Sequence, residues 1–252
     1  MWFVIQLTYT VQMNTPYDNE LPVWERPEPK PRAAPVPLSR EKIATVAIRI
    51  ADEHGLDGLS VRKIAKELDV GPMRLYGYVL NRSELLDLMV DVVYARIADV
   101  DRRETWRDEV TAIACATRAA ALDHEWFSDL LGGRPHLGPH ALAVGEATAA
   151  ALSRAPGVRD IDDLQRALGV LDAFITGAIR REVTERRTTR STGTDEAAFQ
   201  VSRGPYLTRM LDTGRFPTVA RLVVEGAHLN PEETFSHNLT TILDGITRRH
   251  DA

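Results

Sequence analysis

SVRKIAKELDVGPMRLYGYV, residues 60–79, reads as a short helix, a tight turn and a second short helix. Ser60 is suited to capping the first helix. Val61, Ile64, Ala65 and Leu68 recur at helical spacing and give that helix one apolar face, with Arg62, Lys63 and Lys66 on its other sides. Asp69 stands in the turn, where the chain needs a left-handed residue and Asp is one of the few substitutes for glycine. Val70 plugs the angle between the helices. Pro72 suits the first turn of the second helix, where its missing N–H leaves no bond unmade. Leu75 and Val79 point to the core, while Met73, Arg74, Tyr76 and Tyr78 are expected to face outward. A basic and aromatic outer surface of this kind marks a helix-turn-helix that carries side chains to DNA base edges. The plain alternative is a helical hairpin inside an all-helical core.

The flanks favour DNA. Upstream, Leu38, Ser39 and Arg40 lead into an amphipathic helix with Ile43, Val46, Ala47 and Ile50 inward, ending at Gly55. Downstream, Asn81 can cap a helix and Glu84 sits three residues on, as in a capping box. A long apolar helix follows through Leu85, Leu86, Leu88, Met89, Val92, Val93 and Ile97.

The run LSREKIATVAIRIADEHGLDGLSVRKIAKELDVGPMRLYGYVLNRSELLDLM resembles the DNA-binding domain of the TetR family of bacterial transcriptional regulators. The likeness extends over 38–98. RPHLGPHAL, GPYLTRML, GRFPTVARLV and FSHNLTTILDGI resemble the tetracycline-repressor-type ligand domain of the same family. The division that follows is a segment 1–37, a helix-turn-helix domain with connector helix 38–98, and a helical ligand-binding and dimerisation domain 99–252. The fold class is all-α.

Charge agrees once it is divided. The whole chain carries −5, yet residues 39–82 hold eight Lys/Arg against six Asp/Glu and residues 83–252 hold 20 against 26. A local basic excess on an acidic body suits binding DNA by one face. No apolar run is long enough to span a bilayer, so no membrane partner is expected. The single cysteine, Cys115, cannot form an internal disulfide, which fits a cytoplasmic setting, and its alanine-rich surroundings predict a packed thiol.

Residues 1–13 are apolar but interrupted by Gln6, Thr8 and Thr10, with no basic leader, so a signal peptide is disfavoured and Met13 is an alternative start to Met1. Residues 16–37 hold seven of the 14 prolines and are expected to be extended. Arg26, Lys30 and Arg32 within them read either as a solvated tail or as an arm entering the minor groove.

The remainder reads as helices. Residues 105–122 open with Thr105 as cap, Gly138-Pro139 starts a helix through Leu152, and Asp160 caps a long helix with Leu164, Leu168, Leu171 and Ile175 on one face. The polar run 184–198 is expected to be a loop, and Gly204-Pro205 to open a short helix. A last helix, 231–248, carries the stripe Phe235, Leu239, Ile242 and Ile246.

The resemblance implies a homodimer paired through the helices at 160–182 and 231–248, two readers on a palindromic double-stranded operator, and release by a small molecule. Arg62 and Arg74 are the expected base readers, since a guanidinium can contact guanine bidentately. Pro72 and Met73 supply apolar contacts, and Tyr76, Tyr78 and Arg82 hold phosphates. Ser60, Val61, Lys63 and Gly71 complete the set, while Gly77 departs from a bulky residue frequent there. Tetracycline repressors hold a magnesium–drug chelate with His, Asn and Glu. Leu130, Ile113 and Arg181 stand at the matching positions here, so that chelate is disfavoured and no metal or cofactor is expected. The expected pocket is apolar and aromatic, from Ile113, Thr117, Trp126, Phe127 and Phe174.

Rival functions are an enzyme, an activator, or an architectural DNA binder without effector. No HExxH motif, nucleophile elbow or phosphate loop is present. His136 and His140 have helical i,i+4 spacing, but Pro139 intervenes. A purely architectural binder has no need of a helical body of this size.

Overall fold

The structure, a computed structural model, describes residues 21–29, 37–100 and 103–247, and every regular element among them is helical. Lys30, Arg32 and the alternative starts Met1 and Met13 lie outside the described residues. α1 (Arg40–His54) is capped by the Ser39 hydroxyl, and Gly55 ends it at φ 67°. A single 3-10 turn, Leu56–Gly58, leads to α2 (Val61–Glu67), whose cap is the Ser60 side chain accepting from the Lys63 N–H. Asp69 takes φ 52°, the left-handed value expected of the turn. α3 (Pro72–Leu75) follows with Pro72 at its start.

The connector α4 (Arg82–Ala98) is capped by Asn81, which accepts from the Glu84 N–H. The Glu84 carboxylate reaches back to the Leu80 N–H at 2.8 Å, one residue earlier than a standard capping box. The body comprises α5 (Trp106–Asp123), α6 (Glu125–Leu130), α7 (Pro139–Leu152), α8 (Ile161–Thr192), α9 (Glu196–Leu211), α10 (Pro217–Glu225) and α11 (Pro231–Thr247).

One buried cluster runs through the molecule without a break at α4. It joins Ile43, Ile50, Ile64 and Leu75 of the helix-turn-helix to Trp126, Phe127, Ile179 and Val183 of the body by way of Leu85, Met89, Val93 and Ile97. A second cluster gathers Val110, Leu152, Leu168 and Leu171 against Phe235, Leu239 and Leu243 of α11. The expected stripe on the last helix is thus Phe235 and Leu239 continued by Leu243, with Ile246 packed at the margin.

Three expectations are corrected. The polar run 184–198 is a break only at 193–195, because α8 continues to Thr192 and α9 begins at Glu196. Val183 is buried, Arg187 forks onto Asp129 at 2.9 Å through both terminal nitrogens, and Arg190 pairs with Glu125 at 2.6 Å. Those ties to α6 hold a sequence that lacks apolar periodicity. Pro205 lies inside α9 rather than opening a helix, the cap being Asp195. Cys115 is exposed, since Ala114 takes the inward position on α5.

Two polar junctions brace the helix-turn-helix. Asp52 of α1 accepts from the Trp126 indole N–H at 2.7 Å and from His124 Nδ1 at 2.9 Å. Arg96 of α4 donates to His124 Nε2 at 3.2 Å. The second junction corrects the minor-groove assignment of Arg26. Its guanidinium forks onto both Glu84 oxygens at 2.7 Å and reaches the Tyr78 carbonyl. The strap 21–29 therefore lies against the start of α4, held also by Arg40 bonding to the Arg26 carbonyl at 2.6 Å.

Burial pulls the Glu84 carboxyl upward, but hydrogen bonds from Arg26 and the Leu80 N–H, with the Arg26 charge, outweigh it and hold Glu84 below the usual glutamate range. A lowered folded value means stability that is present above the ordinary glutamate pKa and is lost as pH falls through the lowered one. Arg26→Ala should therefore flatten the loss of stability as pH falls from neutral through and below the ordinary glutamate range, read by urea denaturation across pH. Trp126→Phe keeps a six-membered aromatic ring but removes the pyrrole ring with its N–H, and with it the Asp52 bond. It should cost about 1–2 kcal/mol in the same measurement at neutral pH.

Candidate DNA-reading surface and ligand cavity

The two reader helices are short and their outer side is open. Met73 is 80% exposed and Tyr76 43% exposed. Ser60, Arg62, Gly71 and Pro72 are exposed, and Val61, Lys63 and Arg74 partly so. Among the described residues Arg62 and Arg74 make no side-chain hydrogen bond or ion pair, whereas Arg26, Arg40, Arg49 and Arg82 all do. Two uncommitted guanidiniums on one open surface are what base readout requires.

Two expected contacts are corrected. Tyr78 does not face outward: it is 3% exposed and belongs to the core with Ile43 and Leu75, because α3 ends at Leu75 and the turn that follows swings its ring inward. Arg82 is tied to main chain, donating to the Leu59 carbonyl at 3.0 Å and the Leu56 carbonyl at 2.6 Å. It fastens the start of α4 to the 3-10 turn instead of reaching for a phosphate. Gly77 also finds a local cause. A Cβ there would lie 3.3 Å from Pro29 Cγ, so the strap crowds any side chain at this position.

A cavity of about 480 Å³ opens in the body between α4, α5, α7 and α8. Of the five expected lining residues, Ile113 and Thr117 do line it. Trp126, Phe127 and Phe174 do not. Trp126 and Phe127 are 1% and 0% exposed in the core beneath α1 and α4, and Phe174 stacks on Phe235 at 5.3 Å in the second cluster. Aromatic content alone could not say which side of each helix met space. Leu130 also lines the cavity beside Ile113, both apolar, while Arg181 is not among its walls.

Tyr94 and His136 also line the cavity and are not among the residues expected there. Tyr94 is the one α4 residue on the cavity wall, with its ring edge-on to Phe127 at 5.4 Å and 81° and close to His136 at 6.1 Å. Desolvation alone pushes the Tyr94 phenol up to about 12, so it stays protonated. An aromatic with a polar tip on the body-facing side of the connector was the available signal.

Asp91, one turn before Tyr94, is buried at 7% exposure. Its Oδ1 accepts from the N–H groups of His140 and Ala141 at 2.9 and 3.1 Å, and its Oδ2 meets His140 Nδ1 at 2.8 Å. The carboxylate thus closes the N-terminus of α7, where unpaired N–H groups and the helix dipole favour an anion. A Cβ on Gly138 would fall 2.2 Å from Oδ1, so only glycine admits this approach. Leu137, Ala141, Val144 and Gly145 of the same segment line the cavity, so one side chain links its wall to α4.

Residues 100–250 match the family described as Tetracyclin repressor-like, C-terminal domain. The chain is 35% identical over 222 residues to the HTH-type transcriptional repressor DrrR1 of Streptomyces coeruleorubidus, covering 86% of this chain and 80% of that one. Apo ActR from Streptomyces coelicolor superposes with a TM-score of 0.71 at 27% identity, over 85% of this chain and 97% of that one. ActR in complex with actinorhodin gives a TM-score of 0.71 at 27% identity, over 84% and 96%.

Gly138→Ala should displace Asp91 from the α7 terminus and lower stability by about 1–3 kcal/mol, as overpacking does. Thermal denaturation checks the fall, and an unchanged Tm would show that the approach is not tight.

Proposed function

The chain belongs to the TetR family of transcriptional regulators, and we propose that it is a homodimeric repressor released from a palindromic operator by a small, largely apolar molecule. It is a ligand-responsive DNA-binding regulator and not an enzyme. No described helix is long and apolar enough to cross a membrane. A cytoplasmic location is part of the proposal, since the partner is chromosomal DNA.

The observation that carries the proposal is the position of α4. Its first turn is fastened to the reader through Arg82 and to the strap through Glu84, and Tyr94 near its other end lines the cavity. Arg62 and Arg74 read bases, Pro72 and Met73 make apolar contacts, and Tyr76 with Ser60, Val61, Lys63 and Gly71 sets register on the backbone. Lys30 and Arg32 remain the proposed minor-groove contacts, without Arg26. The helix-turn-helix domain is taken as 38–98 and the ligand and dimer domain as 99–252.

Pairing is proposed through α8 and α11. The inner side of α11 packs on α8, and apolar Ile161 and Val170 of α8 stand 73% and 53% exposed in the single chain. A two-fold pair places two readers on successive major grooves. An effector that binds better to a conformation with altered reader spacing lowers DNA affinity by that difference. Asp91 carries the change, since movement of the α7 wall drags α4. The cavity's apolar lining, with leucine and isoleucine where a metal chelate would need ligands, speaks against tetracycline–magnesium. The likeness to ActR, which has been solved with actinorhodin, supports a small-molecule effector.

A gel shift on DNA upstream of the gene tests the proposal. Wild type should bind, and Arg74→Ala should bind at least tenfold more weakly, the loss expected of one guanine contact at about 1–3 kcal/mol. No binding by wild type, or equal binding by the variant, sinks it.

A further inference from the structure

We propose that Tyr94 selects the effector, its phenol donating a hydrogen bond to a carbonyl-type oxygen on an otherwise apolar molecule. The inference rests on the cavity being the effector site. Val110, Ile113, Leu168, Leu171 and Ile175 make most of the wall apolar, so a bound molecule must be largely apolar to gain from entering.

The polar groups of that wall differ in what they still offer. Thr117 donates to the Ile113 carbonyl and Thr148 to the Val144 carbonyl, both at 2.8 Å. His136 Nε2 donates to the Leu130 carbonyl at 3.2 Å. Glu146 and Asp172 carry carboxylates, which accept when ionised. Gln165, Thr176 and Tyr94 make no side-chain hydrogen bond among the described residues, but Gln165 is exposed to solvent, and of the three only Tyr94 is carried on α4; its hydroxyl is not a buried atom left unsatisfied, so it reaches accessible space. Its ring is held against Phe127, which fixes where the hydroxyl points. A donor kept free in a mainly apolar wall calls for an acceptor, and a ketone or quinone oxygen is an acceptor only. Tyr94 is also one turn from Asp91, so a ligand held there acts on α4 directly.

Anthraquinone and anthracene, which differ in two carbonyl oxygens, are the probes, with binding read by quenching of tryptophan emission in the full-length protein. Wild type should bind anthraquinone more tightly than anthracene. Tyr94→Phe removes only the hydroxyl and should weaken anthraquinone five- to tenfold, as a neutral hydrogen bond of about 1–1.4 kcal/mol would, and leave anthracene unchanged. Equal weakening of both would reduce Tyr94 to packing. No weakening of either, with both bound, would overturn the assignment while leaving the cavity as a ligand site. Failure of wild type to bind either probe would overturn the cavity reading and this inference with it.

Discussion

α4 has to satisfy two cores at once, and the rest of the molecule is arranged around that constraint. Met89, Val90, Val93 and Ile97 are at most 1% exposed, packed in the single cluster shared by reader and body. A helix buried on both sides cannot slide or tilt without opening space on one of them, because interiors are close-packed and lose contacts outright when gaps form. Two discrete packings are therefore easier to reach than a continuum of them. That is the property a regulator needs from the element joining its sensor to its reader.

Buried charge makes the constraint directional. Asp91 is withdrawn from water, which is tolerable only because two N–H groups and an imidazole meet it. Its partners all lie at the start of α7, so the cost of moving α4 relative to α7 is greater than the cost of moving it elsewhere. Asp52, itself exposed, ties α1 to α6 through Trp126 and His124. The reader is thus tied to the body at two carboxylates, neither of which lines the cavity.

The caps, the left-handed Asp69, the short reader helices and the all-helical class were legible because each depends on residues within a few positions of one another. Ser39, Ser60, Asn81, Thr105 and Asp160 each cap the helix that follows. What failed were statements about sides and distant partners. Tyr78 reads as outward on a helical wheel, yet α3 is so short that its tail turns the ring into the core. Residues 184–192 read as a loop because they lack apolar spacing, and are helical because α6 supplies carboxylates to their arginines. Trp126, Phe127 and Phe174 read as pocket because they are aromatic, but they support the wall from behind.

Local chemistry in the chain determined where helices begin and end, where the turn of the reader falls and that its outer surface is basic. Those outcomes follow from hydrogen-bond caps and side-chain periodicity, which act within a turn or two of helix. Tertiary structure alone decided that Arg26, Arg40 and Arg82 are committed to the protein while Arg62 and Arg74 stay open, and that Tyr94 rather than Trp126 meets the cavity. Such choices depend on groups tens of residues apart being brought to hydrogen-bonding distance. No spacing in the sequence encodes those distances, since they arise only once helices have packed.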